Sequence, residues 1–302
     1  MLIAFVHNRK TFLPALEGYS AFFSKFNINV ADCTAKELQN IKADVEWHFM
    51  GLDRNPKTRA IKIHDYMSAS TPPFAILKNK LKVRLNSKPD FRLFLNEYIY
   101  NSFSFSDHVP FGFRDMGVLN TSLNPEPGIR KFDFIYVGEM RSRQLHKLIK
   151  CFATGALSGR SILFLSKDYD QLKYSLEASP NIKFMGPVAS SEVQNYISSS
   201  KFAINYIPDI EPFNKQTSTK LLEYAACNVP VISSRYEWIE KFQQKYGGTY
   251  FYLNEDFSNF TWEAVNKFEY NFPDLREWTW ESQIRNSGVL NFLSSRFPDI
   301  NW

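Results

Sequence analysis

The chain has 302 residues, 44% of them hydrophobic and 22% charged, and a formal net charge of +5. That length holds one large or two ordinary domains, each able to bury its own core. The balance is that of a soluble globular protein; the charge is too modest for a nucleic-acid partner but enough for an anionic substrate or an anionic membrane surface.

Aromatic residues reach 16%, with 28 Phe and 15 Tyr. Much of that must be core, and the rest suits sugar stacking or a membrane interface. Cys33, Cys151 and Cys227 are far apart and lack metal-ligand spacing. No disulfide framework or zinc site is expected, which fits a reducing compartment and a cytoplasmic protein. The run Leu2–Val6 is too short for a signal peptide, and no stretch approaches the length that crosses a bilayer.

In chain order, Leu2 to His7 reads as a buried strand and Phe12 to Phe26 carries helical spacing. His7, at the strand end, is expected to be structural. Ile28 to Ala31 and Val45 to Met50 read as strands, with a helical segment from Thr34 between them. Ile61-Lys62-Ile63 is another strand, and His64 and Asp65 are expected at its end. A reaction that deprotonates a hydroxyl needs a base, and His64 or Asp65 is the candidate. Adjacent side chains on an extended strand point to opposite faces, so both cannot aim at one atom there.

Phe74 to Leu85 interleaves basic and apolar residues: F-A-I-L-K-N-K-L-K-V-R-L. It suits either anionic lipid head groups or a basic solvated helix packed through its Leu and Ile residues. Phe91 to Leu95 and Val109 to Phe113 are strand candidates, and the Pro- and Gly-containing stretch 121–130 is the best linker.

The pattern then restarts. Phe132 to Val137 is a strand ending at Gly138, followed by Arg141, Arg143 and a helix from Gln144 to Phe152. Arginines at a helix start are electrostatically unhelpful unless an anion lies nearby, and guanidinium groups suit phosphate. Ser161 to Ser166 and Asn181 to Gly186 are strands, and a helix opens at Ser190. Asp168-Tyr169-Asp170 has the spacing of a metal-binding pair but reads as helix capping.

Phe202 to Ile207 and Val229 to Ser233 bracket a loop and a short helix, in E-P-F-N-K-Q-T-S-T-K-L-L-E-Y-A-A-C-N-V-P-V-I-S. Thr217 and Ser218 are N-cap residues, and Leu221, Leu222, Ala225 and Ala226 form the apolar stripe. Strand, polar loop and helix N-terminus together place an anionic ligand at the carboxyl end of a parallel sheet. Lys220 and Glu223, three apart, share a face. They can serve a diphosphate and a ribose, or form a solvated ion pair.

The segment T-K-L-L-E-Y-A-A-C-N-V-P-V-I-S resembles the nucleotide-binding segment of GT-B glycosyltransferases. The resemblance implies an α/β fold of two Rossmann-like domains facing a cleft: an acceptor-side domain over 1–120 and a nucleotide-sugar domain over 131–302 with the last helix crossing back. It implies a nucleotide-sugar donor as substrate, no cofactor, no metal, and a glycan or lipid-linked acceptor, as in bacterial surface polysaccharide synthesis. Glu223 would bind the donor ribose; Arg141, Arg143, Asn214, Thr217, Ser218 and Lys220 would meet the rest of the nucleotide. Asn228 stands where the family usually has Gly, and Lys215 where retaining members carry an earlier Glu. Retaining and inverting routes both stay open. So do a sugar-nucleotide epimerase or hydrolase of the same fold, and a non-catalytic scaffold.

Overall fold

The computed structural model describes residues 1–9, 13–120, 123, 129–141, 143, 145–167 and 179–302. The chain forms two compact units, one of Met1–Asn120 with Arg276–Trp302, the other of Thr121–Leu275. Each is built on a six-stranded parallel sheet. The stretch 124–128 of the predicted linker and the triplet Asp168-Tyr169-Asp170 lie outside the described residues.

In the first unit the strands are β1 (Leu2–Val6), β2 (Asn29–Cys33), β3 (Val45–Phe49), β4 (Ile61–Tyr66), β5 (Phe91–Phe94) and β6 (Phe111–Phe113). Their order is β2-β1-β3-β4-β5-β6, so the direction of winding reverses at β1 and β3. Helix α1 (Pro14–Ser24) buries Ala15, Gly18, Tyr19, Phe22 and Phe23, the apolar stripe that its spacing predicts. The helix expected from Thr34 is only a short 3-10 turn over Glu37–Asn40, with Glu37 bonded back to Thr34. Helices α2 (Ala75–Leu85) and α3 (Glu97–Phe103) follow β4 and β5.

The second unit has β7 (Phe132–Val137), α4 (His146–Ala153), β8 (Ile162–Leu165), β9 (Ile182–Met185), α5 (Ser190–Ser198) and β10 (Ser200–Asn205). It continues with α6 (Thr219–Ala226), β11 (Val231–Ser233), α7 (Glu237–Tyr246), β12 (Phe251–Tyr252) and α8 (Trp262–Lys267). Its strand order is β12-β11-β10-β7-β8-β9. The winding reverses between β7 and β10, which pair directly. Parallel strands covered on both faces read as continuous apolar runs, and Phe134, Ile135, Leu163, Phe164, Ala203 and Ile204 are all fully buried.

The closing segment carries α9 (Trp280–Asn286) and α10 (Val289–Ser294), broken at Gly288, and belongs to the first unit. Trp280 donates its backbone N–H to Val118 at 3.0 Å, and Val118 donates to Trp278 at 2.8 Å. The Trp280 indole lies on Gly18 of α1, where a Cβ would stand 2.2 Å from the ring. Only glycine permits that approach.

Candidate active site

In an open parallel sheet, ligands bind beyond the carboxyl ends of the strands where the winding reverses. Each unit has a cavity at that place. In the second unit it measures about 110 Å³ and is lined by the ends of β7 and β10 and by the N-terminus of α6.

This pocket is assembled by polar contacts that reach across the sheet. Ser218 caps α6, its Oγ accepting from Leu221 N–H at 3.3 Å and donating to Asn205 Oδ1 at 2.7 Å. Asn205, the last residue of β10, donates from Nδ2 to Ser233 Oγ and Tyr236 Oη at 2.9 and 3.0 Å. Tyr224 of α6 accepts from Val137 N–H at 2.9 Å and so holds the end of β7. Burial pushes its phenol well above the ordinary value and keeps it neutral in that role. Gly138 follows with a φ of +152°, a conformation that side chains rarely adopt, and it lets the backbone form the pocket wall.

Of the residues assigned to the donor, Arg143, Thr217, Ser218 and Lys220 come together in this pocket. The Arg143 guanidinium lies 5.1 Å over the Phe213 ring, and its Nη1 is buried without a hydrogen-bond partner among the described residues. Gln216 Nε2 is in the same state and lines the same pocket. Lys220 Nζ is bound to both Glu223 oxygens, at 2.8 and 2.7 Å, so the ion pair foreseen in the sequence is present.

Three donor assignments fall outside the pocket. Arg141 is exposed, Glu223 is bound to Lys220 without lining the pocket, and Asn214 lines a neighbouring cavity of about 880 Å³, donating to Asp209 at 2.9 Å. Sequence reasoning missed Asn205, Phe213 and Gln216. Asn205 had a readable signal, a polar residue closing an apolar strand; the other two had none.

The first unit's cavity measures about 530 Å³ and is lined by the ends of β1 and β3, with His7, Asn8, Lys36, His48, Asp53 and Ser68 among its walls. His7 Nε2 lies 2.8 Å from Asp32 Oδ1, and its Nδ1 accepts from Arg9 N–H at 3.2 Å. The pair joins a nearly buried imidazole to a half-exposed carboxylate.

His64 and Asp65 are not where the sequence put them. Strand β4 runs on to Tyr66, so both lie within the strand, and both are fully buried. Asp65 accepts from Arg114 Nη2 at 2.5 and 2.7 Å, from Tyr19 Oη at 2.9 Å and from Trp47 Nε1 at 3.2 Å. On the opposite side of the strand, His64 Nε2 donates to Asp53 Oδ2 at 3.0 Å. Lys62 Nζ also reaches Asp53, Asn55 O and Ser87 Oγ, each at 3.1 Å. Burial holds the His64 imidazole down at about 4. Burial alone would raise the Asp53 carboxyl, but its contacts with His64, His48 and Ser87 hold it well below the ordinary range. These are structural groups: a base must reach its substrate, and neither side chain of the predicted pair meets solvent.

Residues 142–260 match the family described as glycosyl transferase-like. No curated protein matches the sequence. Among solved structures, the chain is similar to HepE of Anabaena in complex with UDP-glucose, with a TM-score of 0.61, 12% identity, and 98% of this chain and 95% of that one covered. It is similar to AviGT4, a glycosyltransferase involved in avilamycin A biosynthesis, with a TM-score of 0.57, 10% identity, and 99% and 96% covered. It is also similar to the UDP-GlcNAc 2-epimerase of Methanocaldococcus jannaschii, with a TM-score of 0.55, 12% identity, and 97% and 99% covered. The chain therefore has the GT-B glycosyltransferase fold, and its glycosyl transferase-like segment lies in the unit that holds Arg143 and Ser218.

Proposed function

We propose that the protein is a glycosyltransferase that takes a nucleotide diphosphate-sugar in the second unit's pocket and transfers the sugar to a hydroxyl of a glycan or lipid-linked acceptor. One observation carries this reading. Arg143 Nη1 and Gln216 Nε2 are buried donors without partners among the described residues, in the same pocket as the N-terminus of α6. Buried donors left unpaired are costly, and a diphosphate would satisfy both while lying against the helix start. The UDP-glucose bound to HepE, a protein of the same fold, supports a nucleotide sugar as that ligand.

In the proposed reaction the bond from the anomeric carbon to the diphosphate oxygen breaks and the departing nucleotide gains charge. Arg143, the α6 N-terminus and Lys220 stabilise it, so the step as drawn needs no metal. Lys220 would turn from Glu223 toward phosphate, freeing Glu223 for the ribose as the family resemblance implies. At the acceptor, His7 replaces His64 and Asp65 as the group to accept the hydroxyl proton. Asp32 orients the ring, and an acceptor hydroxyl would displace the 3.2 Å contact from Arg9 N–H.

The reading extends to bacterial surface polysaccharide synthesis, in the cytoplasm at the inner face of a membrane, where a lipid-linked acceptor is met. The test is product analysis with a panel of nucleotide sugars, with and without a lipid-linked glycan acceptor. Transfer predicts nucleotide diphosphate release that depends on acceptor. Isomerised nucleotide sugar formed without acceptor would instead identify an epimerase.

A further inference from the structure

Helix α2 shows its apolar side to solvent. Toward its own unit it turns Ala75, Asn79, Lys82 and Val83, of which only Asn79 is buried. That amide fixes the helix, its Oδ1 accepting from Ser70 N–H and its Nδ2 donating to Ser102 O, both at 3.1 Å. The Lys82 ammonium lies 5.9 Å from the centre of the Phe103 ring. The helix is therefore held by these polar contacts and by Val83, which packs against the core cluster of Tyr66, Phe94 and Phe103, without the buried leucine stripe that usually attaches a surface helix.

The opposite side carries Phe74, Leu77, Leu81 and Leu85, exposed by 74, 56, 46 and 40%. Their spacing puts them in one row about 16 Å long. Lys80 and Arg84 flank the row on one edge and Lys78 on the other. From Phe74 to Pro89 the chain has Lys78, Lys80, Lys82, Arg84 and Lys88 and no acidic residue. An apolar row of this kind, edged by cations that make no ion pair among the described residues, matches a bilayer surface: leucines enter the head-group boundary while lysines stay at the anionic phosphates. No helix among the described residues is long and apolar enough to cross a membrane.

The geometry points to α2 as a docking element that lies in the plane of an anionic lipid surface, with Phe74, Leu77, Leu81 and Leu85 inserted. This gives the peripheral-membrane part of the reading above a specific structural basis. It is independent of whether the protein transfers sugar. A second protein, or a second copy of this chain, would be the competing occupant of the same face.

The experiment is co-sedimentation of the full chain with phosphatidylcholine vesicles, with and without phosphatidylglycerol. Binding should require the anionic lipid and weaken as salt rises. Leu77→Ser with Leu81→Ser should weaken it by about tenfold or more, since losing one buried leucine alone is worth about a factor of ten. Lys80→Glu with Arg84→Glu should weaken binding to the anionic vesicles. All four side chains face solvent, so both variants should keep the wild-type melting temperature and UDP affinity. Absent vesicle binding, equal binding to neutral and anionic vesicles, or binding untouched by the leucine pair would overturn the proposal. So would concentration-dependent dimerisation in sedimentation velocity that the leucine pair abolishes. Lipid binding by a wild-type protein that shows no affinity for UDP or any other nucleotide diphosphate would leave α2's role standing while the transferase reading fails.

Discussion

Ser218 Oγ donates to Asn205 Oδ1 at 2.7 Å, tying the cap of α6 to the last residue of β10. The same hydroxyl accepts from Leu221 N–H, so one side chain both starts the helix and fixes its place against the sheet. Ser218→Ala removes the cap and leaves Asn205 without that donor. The expected loss is about 1–2 kcal/mol of unfolding free energy by chemical denaturation. UDP binding should weaken with it, because the pocket wall is no longer fixed. Unchanged stability and affinity would show that the contact does not organise the site.

Asp65 and Arg114 form a fully buried pair. Removing one partner leaves the other charge uncompensated, at a cost of about 3–5 kcal/mol. Asp65→Ala should therefore unfold at much lower denaturant concentration than wild type. A stable Asp65→Ala variant that binds UDP yet cannot turn over would restore Asp65 as a base and contradict its structural role.

His64 makes stability depend on pH. Its folded-state value of about 4 lies below the ordinary 6.5. As pH falls, the unfolded chain takes the proton first, so this contribution is complete above 6.5 and is lost through the window down to about 4. The loss is about 3 kcal/mol. Unfolding measured at both ends of that window should show a drop that shrinks by about this amount in His64→Gln. An equal drop in both proteins would place the acid sensitivity elsewhere.

Gly18 is closed to any side chain by Trp280. Alanine is the better helix former by about 1 kcal/mol, but overpacking against a fixed indole costs about 1–3 kcal/mol or more. Gly18→Ala should lower the melting temperature, and Trp280→Leu in that background should recover part of it. A rise in melting temperature would mean the ring can move aside.

The sheets were legible because their strands are apolar runs buried on both faces, as in F-D-F-I-Y-V and S-I-L-F-L. Strand β4 was cut short for the complementary reason. Lys62, His64 and Asp65 are polar, and the partners that let them be buried, Asp53, Ser87 and Arg114, are distant in sequence. The Ser218 cap was legible from hydroxyl chemistry alone. The choice between Arg141 and Arg143 was not, since it depends on which side of a turn each residue falls. Gln216 and Phe213 belong to no periodic pattern and became visible only as neighbours of Arg143.

The most direct measurement is calorimetric titration of UDP and of uridine into wild type, Arg143→Ala and Arg143→Lys. If Arg143 meets the diphosphate, Arg143→Ala should weaken UDP by about tenfold or more and leave uridine nearly unchanged. The deficit should narrow as salt rises, because screening weakens the wild-type contact, and lysine should recover only part of it. Equal affinity of all three proteins for UDP, or equal losses for UDP and uridine, would contradict a diphosphate site at the α6 N-terminus.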